Sequence, residues 1–343
     1  MLRTEAIARL RATMAHDDLS ITDQMAEIRA MHCASPRDAK ISRMIDGLKR
    51  SLATVDDNDK GNRILFVCGE SNSGKTELVR HALASDPYFT EAGADANMLW
   101  LKAPSPSTLR NFAVRGLKTM GFSVRPDIRE THAWPELEEQ LAQRSILFLV
   151  VDEAQRTMKI NDAAELQKLS DSLVSLVDSS TWPIRLILIG VQPLEDLRTR
   201  DEQVFNRSNI LTLGPVSEKS GQRVSDWITS IIDDHARLDS SELPKSQLSK
   251  QLIHACDGNA GSMITLTRNA VECMLRNRKG KQVLVTDFAQ AYHDLTYCAE
   301  AENIFENETW ADLPSGLARI QSPDDDGHET EIGKPMKSGN RPR

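Results

Sequence analysis

The 343-residue sequence predicts an α/β core built on a five-stranded parallel sheet flanked by helices, followed by an all-helical unit. Near-continuous apolar runs alternate with helical patterns as far as Pro215, and strand signals stop after it. A glycine-rich turn, GESNSGKT at 69–76, also separates the first apolar run from the first helix of that alternation.

The elements follow in order. Residues 1–60 read as a helical segment ending in the polar linker DDNDKGN, with Leu2, Ile7, Leu10 and Met14 near one helical face. That face either docks a partner or packs on the protein's own core. RILFVC (63–68) predicts the first buried strand and 75–84 the helix after it. MLWLKA (98–103), SILFLVV (145–151), IRLILIG (184–190) and NILTL (209–213) predict the other four strands. Helices are expected at 107–120, with Ser107 as its cap, at 134–143, with Pro135 in its first turn, and at 162–178, opened by an Asp162/Glu165 capping box. Further helices are expected at 217–235, 243–256, 261–276 and 286–299. Beyond about 311, apolar periodicity ends and Pro, Gly, Ser and Asp rise, so 311–343 is expected to be disordered. The resulting division is 1–60, 61–215, 216–310 and 311–343.

Composition excludes several classes of function. The longest apolar run, ILFLVV at 146–151, is too short to cross a bilayer, and Met1–Met14 lacks the apolar centre of a signal peptide. Five scattered cysteines without a C-x-x-C pair argue against a disulfide framework or a zinc site and suit a reducing cytoplasm. The net charge of −8 argues against an overall nucleic-acid coat, yet 98–129 carries six Lys/Arg against one acidic residue.

The turn has the pattern G-x-x-x-x-G-K-T. Gly69 and Gly74 permit backbone angles and close approaches that side chains would block, so amides of Glu70, Ser71, Asn72 and Ser73 can converge on phosphate oxygens. Lys75 reaches the β/γ-phosphates of ATP, Thr76 presents its hydroxyl to Mg²⁺, and Glu77 lies in the first turn of the following helix. A carboxylate at the end of a nearby strand completes such a site. ILFLVVDEAQ supplies Asp152 on the metal side and Glu153 to polarise the attacking water.

The DE pair, the fourth strand and the helical C-terminal unit together resemble the AAA+ ATPases, in which a P-loop core carries a C-terminal all-helical lid. Within that class the chain resembles the TniB/TnsC transposition ATPases, relatives of the MuB regulators. The likeness rests on GESNSGKT, SPRDAKISRMIDGLKR, VVDEAQ and DEQVFNRS at 201–208, over roughly 30–215. It implies an ATPase that oligomerises on duplex DNA as a ring or filament and recruits a DDE transposase of TniA/TnsB type. A TniQ-type target-selection protein is a further implied partner, and hydrolysis drives disassembly. Arg207 matches the family's arginine finger acting in trans, with Arg198 and Arg200 as alternatives. Lys102, Arg110, Arg115 and Lys118, and more weakly Lys159, fall where the family faces DNA. Departures are Gln192 where a polar sensor follows the fourth strand, Gly258-Asn259-Ala260-Gly261-Ser262 where related lids place a sensing arginine, and Ser208 for the usual Phe. They imply slow or partner-dependent hydrolysis. A nucleotide-gated scaffold with little turnover, and another AAA+ loader or remodelling ATPase, stay open as alternatives.

Overall fold

The computed structural model describes residues 2–54, 61–89, 96–105, 107–159, 163–277 and 280–320. Its helices begin with α1 (Leu2–Arg11), α2 (His16–Ala30) and α3 (Pro36–Ala53), and the core then alternates β1 (Ile64–Gly69), α4 (Lys75–Ala84), β2 (Met98–Lys102), α5 (Leu109–Thr119), α6 (Glu130–Gln143), β3 (Phe148–Asp152), α7 (Ala163–Asp178) and β4 (Arg185–Gly190). Two short helices, α8 (Pro193–Arg200) and α9 (Glu202–Asn206), lead into β5 (Ser208–Leu213). The helical unit is α10 (Gly221–Thr229), continued by a π turn at Ser230–His235, then α11 (Lys245–Ala255), α12 (Ala260–Asn277) and α13 (Val285–Thr296).

The five strands are parallel in the order β2-β3-β4-β1-β5. Both sheet faces are covered, which is why the central strands read as apolar runs without alternation. Leu65, Val67, Phe148, Val150, Ile187 and Ile189 face α3 and α4, while Ile64, Phe66, Leu149, Val151, Leu186 and Leu188 face α5 to α8. β1, inside the sheet between β4 and β5, delivers the glycine turn to the carboxyl edge, and β3 two strands away delivers Asp152 to the same edge. A buried cation, Arg185 at the start of β4, joins sheet and N-terminal segment by donating to the carbonyl and hydroxyl oxygens of Ser51 at the end of α3.

Several boundaries differ from the sequence reading. The residues before the core do not form a unit of their own: α3 lies on the sheet through Ile41, Ile45 and Leu48, whereas Met25 and Ile28 of α2 enter the core of the helical unit. Trp227 Nε1 donates to the Ala34 carbonyl at 2.9 Å and fixes that split. Thr108, not Ser107, caps α5; the Ser107 hydroxyl donates to the Pro104 carbonyl instead. α6 starts at Glu130, a turn before expected, because the Arg129 carbonyl accepts from both His132 and Ala133. Pro135 then sits inside the helix, where it removes one backbone donor. Asp162 of the expected capping box lies outside the described residues.

The expected tail divides at Ile320. Residues 313–320 run back along the helical unit with Ala318 fully buried; 321–343 lie outside the described residues. Among the described residues no helix is long and apolar enough to cross a membrane.

Candidate nucleotide site

At the end of β1 the backbone turns so tightly that a Cβ on Gly69 would lie 2.8 Å from the Leu213 carbonyl oxygen and 2.9 Å from Ser73 Oγ. Gly74 has φ +86° and Asn72 φ +57°, left-handed angles that fold the loop back over the start of α4. The Lys75 ammonium is buried and donates to the Glu70 carbonyl at 2.5 Å, with Ser73 Oγ at 3.5 Å. Thr76 Oγ1 donates to Asp152 Oδ1 at 3.0 Å, so the hydroxyl and the carboxylate expected on the metal side already meet.

The acid beside Asp152 is held by more than its place in sequence. Glu153 has φ +56°, and its amide donates to Asp152 Oδ1 at 2.9 Å, which swings its side chain off the strand direction into the cleft. Its carboxylate accepts from Gln155 Nε2 at 2.9 Å, and Lys102 Nζ and Arg156 Nε each stand 3.9 Å away. Lys102 comes from the end of β2, opposite Asp152 in register. Gln155, which sequence reasoning missed, is buried, and its Oε1 accepts from the Val191 amide at 3.3 Å. It thereby ties Glu153 to the end of β4. The signal for it was Gly190, where a Cβ would lie 2.6 Å from that Oε1.

These residues line a cavity of about 420 Å³ between sheet edge, N-terminal segment and helical unit. Ser71 to Leu78, Asp152, Glu153 and Gln155 form one end; Met31, His32, Cys33, Trp227, Ile264 and Arg268 form the other. Burial raises the Cys33 thiol above its ordinary value, and the nearby Arg268 guanidinium only partly offsets this. Arg268 Nη2 donates to the Met31 carbonyl at 2.6 Å, so a lid arginine reaches the cavity from two turns beyond Gly261.

The helical unit presses directly on the loop. Asn259 Nδ2 donates to the Ser71 carbonyl at 2.8 Å, and a Cβ on Gly261 would lie 1.8 Å from the Asn72 carbonyl oxygen. Gly261→Ala is therefore expected to push α12 off the loop and weaken nucleotide affinity by roughly tenfold, the size of an overpacking cost of about 1–3 kcal/mol. Titration with a fluorescent nucleotide checks it.

Other sequence-selected residues are placed elsewhere. Gln192 is exposed just before α8 and is not among the residues lining the cavity, so Gln155 rather than Gln192 reaches it from this edge. Arg207, expected to project toward a neighbour, is instead folded onto its own chain: both its Nε and Nη2 contact Asp178, Nη1 donates to the Gln203 carbonyl, and its side chain is 13% exposed. Burial raises the Asp178 carboxyl, but the bonds and charges of Arg207 and Arg63 outweigh it and hold that carboxyl below its ordinary value. Arg198 stacks on Phe205 and donates to Ser208, whereas the Arg200 side chain is 65% exposed. Of the basic candidates, Arg110 is engaged with the carbonyls of Pro126 and Ile128, and Arg115 and Lys118 are exposed on α5. Lys159 ends a 3-10 turn, and its side chain lies outside the described residues.

The one group of metal-ligand type among the described residues, His32, Asp38 and His81, brings its atoms within 4.8 Å of one another. The two imidazoles lie face to face, 3.7 Å between centroids and 7° from parallel, and His32 Nε2 is 2.6 Å from Asp38 Oδ1. Lone pairs in stacked ring planes run parallel and do not converge on an ion, so the group serves as a strut between α3 and α4.

Comparison with known proteins agrees with this geometry. Residues 57–197 match the family model of an AAA domain. Among solved structures, the chain is similar to the Aeropyrum pernix ORC2 protein in ADPNP-ADP complexes (16% identity, 78% of this chain and 71% of that one, TM-score 0.53). It is also similar to Cdc6p from Pyrobaculum aerophilum (13%, 81% and 73%, 0.57) and to Drosophila ORC bound to DNA (17%, 85% and 71%, 0.51). At these identities the likeness is one of fold. No curated protein matches. Residues 57–197 thus match an AAA domain, and the chain has the AAA+ P-loop fold completed by a helical C-terminal region.

Proposed function

We propose that this chain is an ATP-dependent regulator of DNA transposition that assembles on duplex DNA and recruits a DDE transposase, with hydrolysis releasing the assembly. The observation that carries the ATPase part is the convergence of Lys75, Thr76, Asp152 and Glu153 on one cavity under a glycine turn with no room for a side chain at Gly69. These residues fit ATP with Mg²⁺: a buried ammonium on loop oxygens stands where phosphate oxygens would come, and a hydroxyl with a carboxylate is a hard-cation donor set. Mg²⁺, when bound, neutralises phosphate charge.

The residues of the chain do the rest. Loop amides and Lys75 hold and orient the phosphates, and Glu153 takes a proton from the attacking water. Lys102 and Arg156, each 3.9 Å from its carboxylate, hold Glu153 as a restrained base. Lys102 is half exposed, so a DNA phosphate that draws it away frees one side of Glu153 and couples DNA contact to turnover. Arg115 and Lys118 add sequence-independent, salt-sensitive contacts. Between subunits the exposed Arg200 is the cation on offer, and Arg207 serves in trans only after leaving Asp178. The segments resembling TniB/TnsC support the transposition reading and the TniQ-type partner, and one fold neighbour is an ORC bound to DNA.

A second reading is a scaffold gated by ATP with little turnover, favoured by the double restraint on Glu153 and the sequestered Arg207. Electron microscopy with duplex DNA tests the assembly. Rings or filaments are expected with a non-hydrolysable ATP analogue and not with ADP or with Lys75→Ala. A monomer indifferent to DNA in every nucleotide state contradicts it.

A further inference from the structure

We propose that residues 313–320 form a latch that locks the helical lid onto the phosphate loop and sets how fast nucleotide leaves. The proposal rests on the nucleotide reading of the cavity and names the regulation of that site. The segment is seated on α11 at its near end: the Leu313 carbonyl lies 2.8 Å from His254 Nε2, the Gly316 amide donates to the His254 carbonyl, and the Ala318 amide donates to the Ala255 carbonyl. Gly316 takes φ +77°, and Ala318 is fully buried in the lid core. These bonds place the next two residues at the seam between lid and loop.

At that seam the contacts cross from one body to the other. The Ile320 amide donates to Ser262 Oγ of α12 at 3.1 Å, while its carbonyl accepts from Asn72 Nδ2 of the phosphate loop at 2.7 Å. The Arg319 guanidinium lies 3.3 Å from the Glu70 carboxylate on the loop and 3.8 Å from Asp257 on the lid. Two adjacent residues thus bridge both sides, one by backbone hydrogen bonds and one by charge. Neither residue is among those that line the cavity. Gly261 packs against the Asn72 carbonyl, and lifting α12 away from the loop breaks the Ile320 and Arg319 bridges together with the Asn259 bond to Ser71.

The test uses the full chain with Arg319→Gln, Ile320→Pro, which removes the amide donor, and both together. Hydrogen exchange of the nucleotide-free protein is expected to rise in the double variant at 70–74 and 259–263, with α10 and α13 unchanged. Release of a methylanthraniloyl-ADP is expected to quicken about two- to fivefold in Arg319→Gln, as for a partly exposed ion pair, and at least about tenfold in the double variant. Exchange and release both like wild type overturn the latch. Exchange that rises throughout the lid also overturns it, because the segment is then only packing. If wild type binds no nucleotide, the nucleotide reading fails, and the exchange pattern alone still decides whether the segment latches lid to loop.

Discussion

Glu153→Gln is expected to lower ATP turnover by about 10²- to 10⁴-fold, the usual contribution of a positioned general base, while nucleotide affinity changes by no more than about threefold. The amide has the size of the carboxylate and can keep an oxygen toward Gln155 Nε2, so the link to Val191 through Gln155 survives. What is lost is the acceptor for the proton of water. Removing the charge also leaves Lys102 and Arg156 without the carboxylate that stands 3.9 Å from each, so Lys102 is freer to meet DNA phosphate. The variant should therefore remain on DNA longer than wild type. Phosphate release measured under saturating ATP, with DNA residence followed in parallel, checks both. Unchanged turnover removes Glu153 from the chemistry.

Lys75→Ala is expected to weaken ATP binding by roughly thirty- to a thousandfold, as for truncating a buried, hydrogen-bonded charge worth about 2–4 kcal/mol. The ammonium is buried against the Glu70 carbonyl and Ser73 Oγ, so the binding energy it gives to phosphate does not have to be raised against bulk water. Its stem lies in the first turn of α4, a position that alanine suits, so the helix is expected to persist. Calorimetric titration with a non-hydrolysable analogue and a thermal melt separate lost affinity from lost folding. Wild-type affinity in a folded Lys75→Ala protein contradicts the phosphate role.

The parts of this site that the sequence showed are those whose cause is local. β1, β3 and β4 are legible because burial on both faces forces unbroken apolar runs, and the turn after β1 because Gly69 is crowded by the Ser73 hydroxyl and Gly74 takes a left-handed angle, both within a few residues. Distant partners were not legible. Nothing near Arg207 announces Asp178, which comes from the end of α7, and nothing near Glu153 announces that Lys102 arrives beside it from another strand. The docking of α2 on the lid was hidden because it buries only Met25 and Ile28, too few for a stripe. α8 and α9 bury Leu194, Leu197 and Val204 over short spans, too little for a periodic pattern. The segment 313–320 reads as part of a disordered tail because backbone hydrogen bonds and the small Ala318 hold it, and neither leaves an apolar period.

The measurement that bears most directly on the central claim is phosphate release from ATP by the purified chain, with and without Mg²⁺ and with and without duplex DNA. Slow, Mg²⁺-dependent release that rises when DNA is added, and falls back as salt displaces the DNA, is the predicted result. Absence of release under every condition, with nucleotide bound, contradicts a DNA-coupled ATPase.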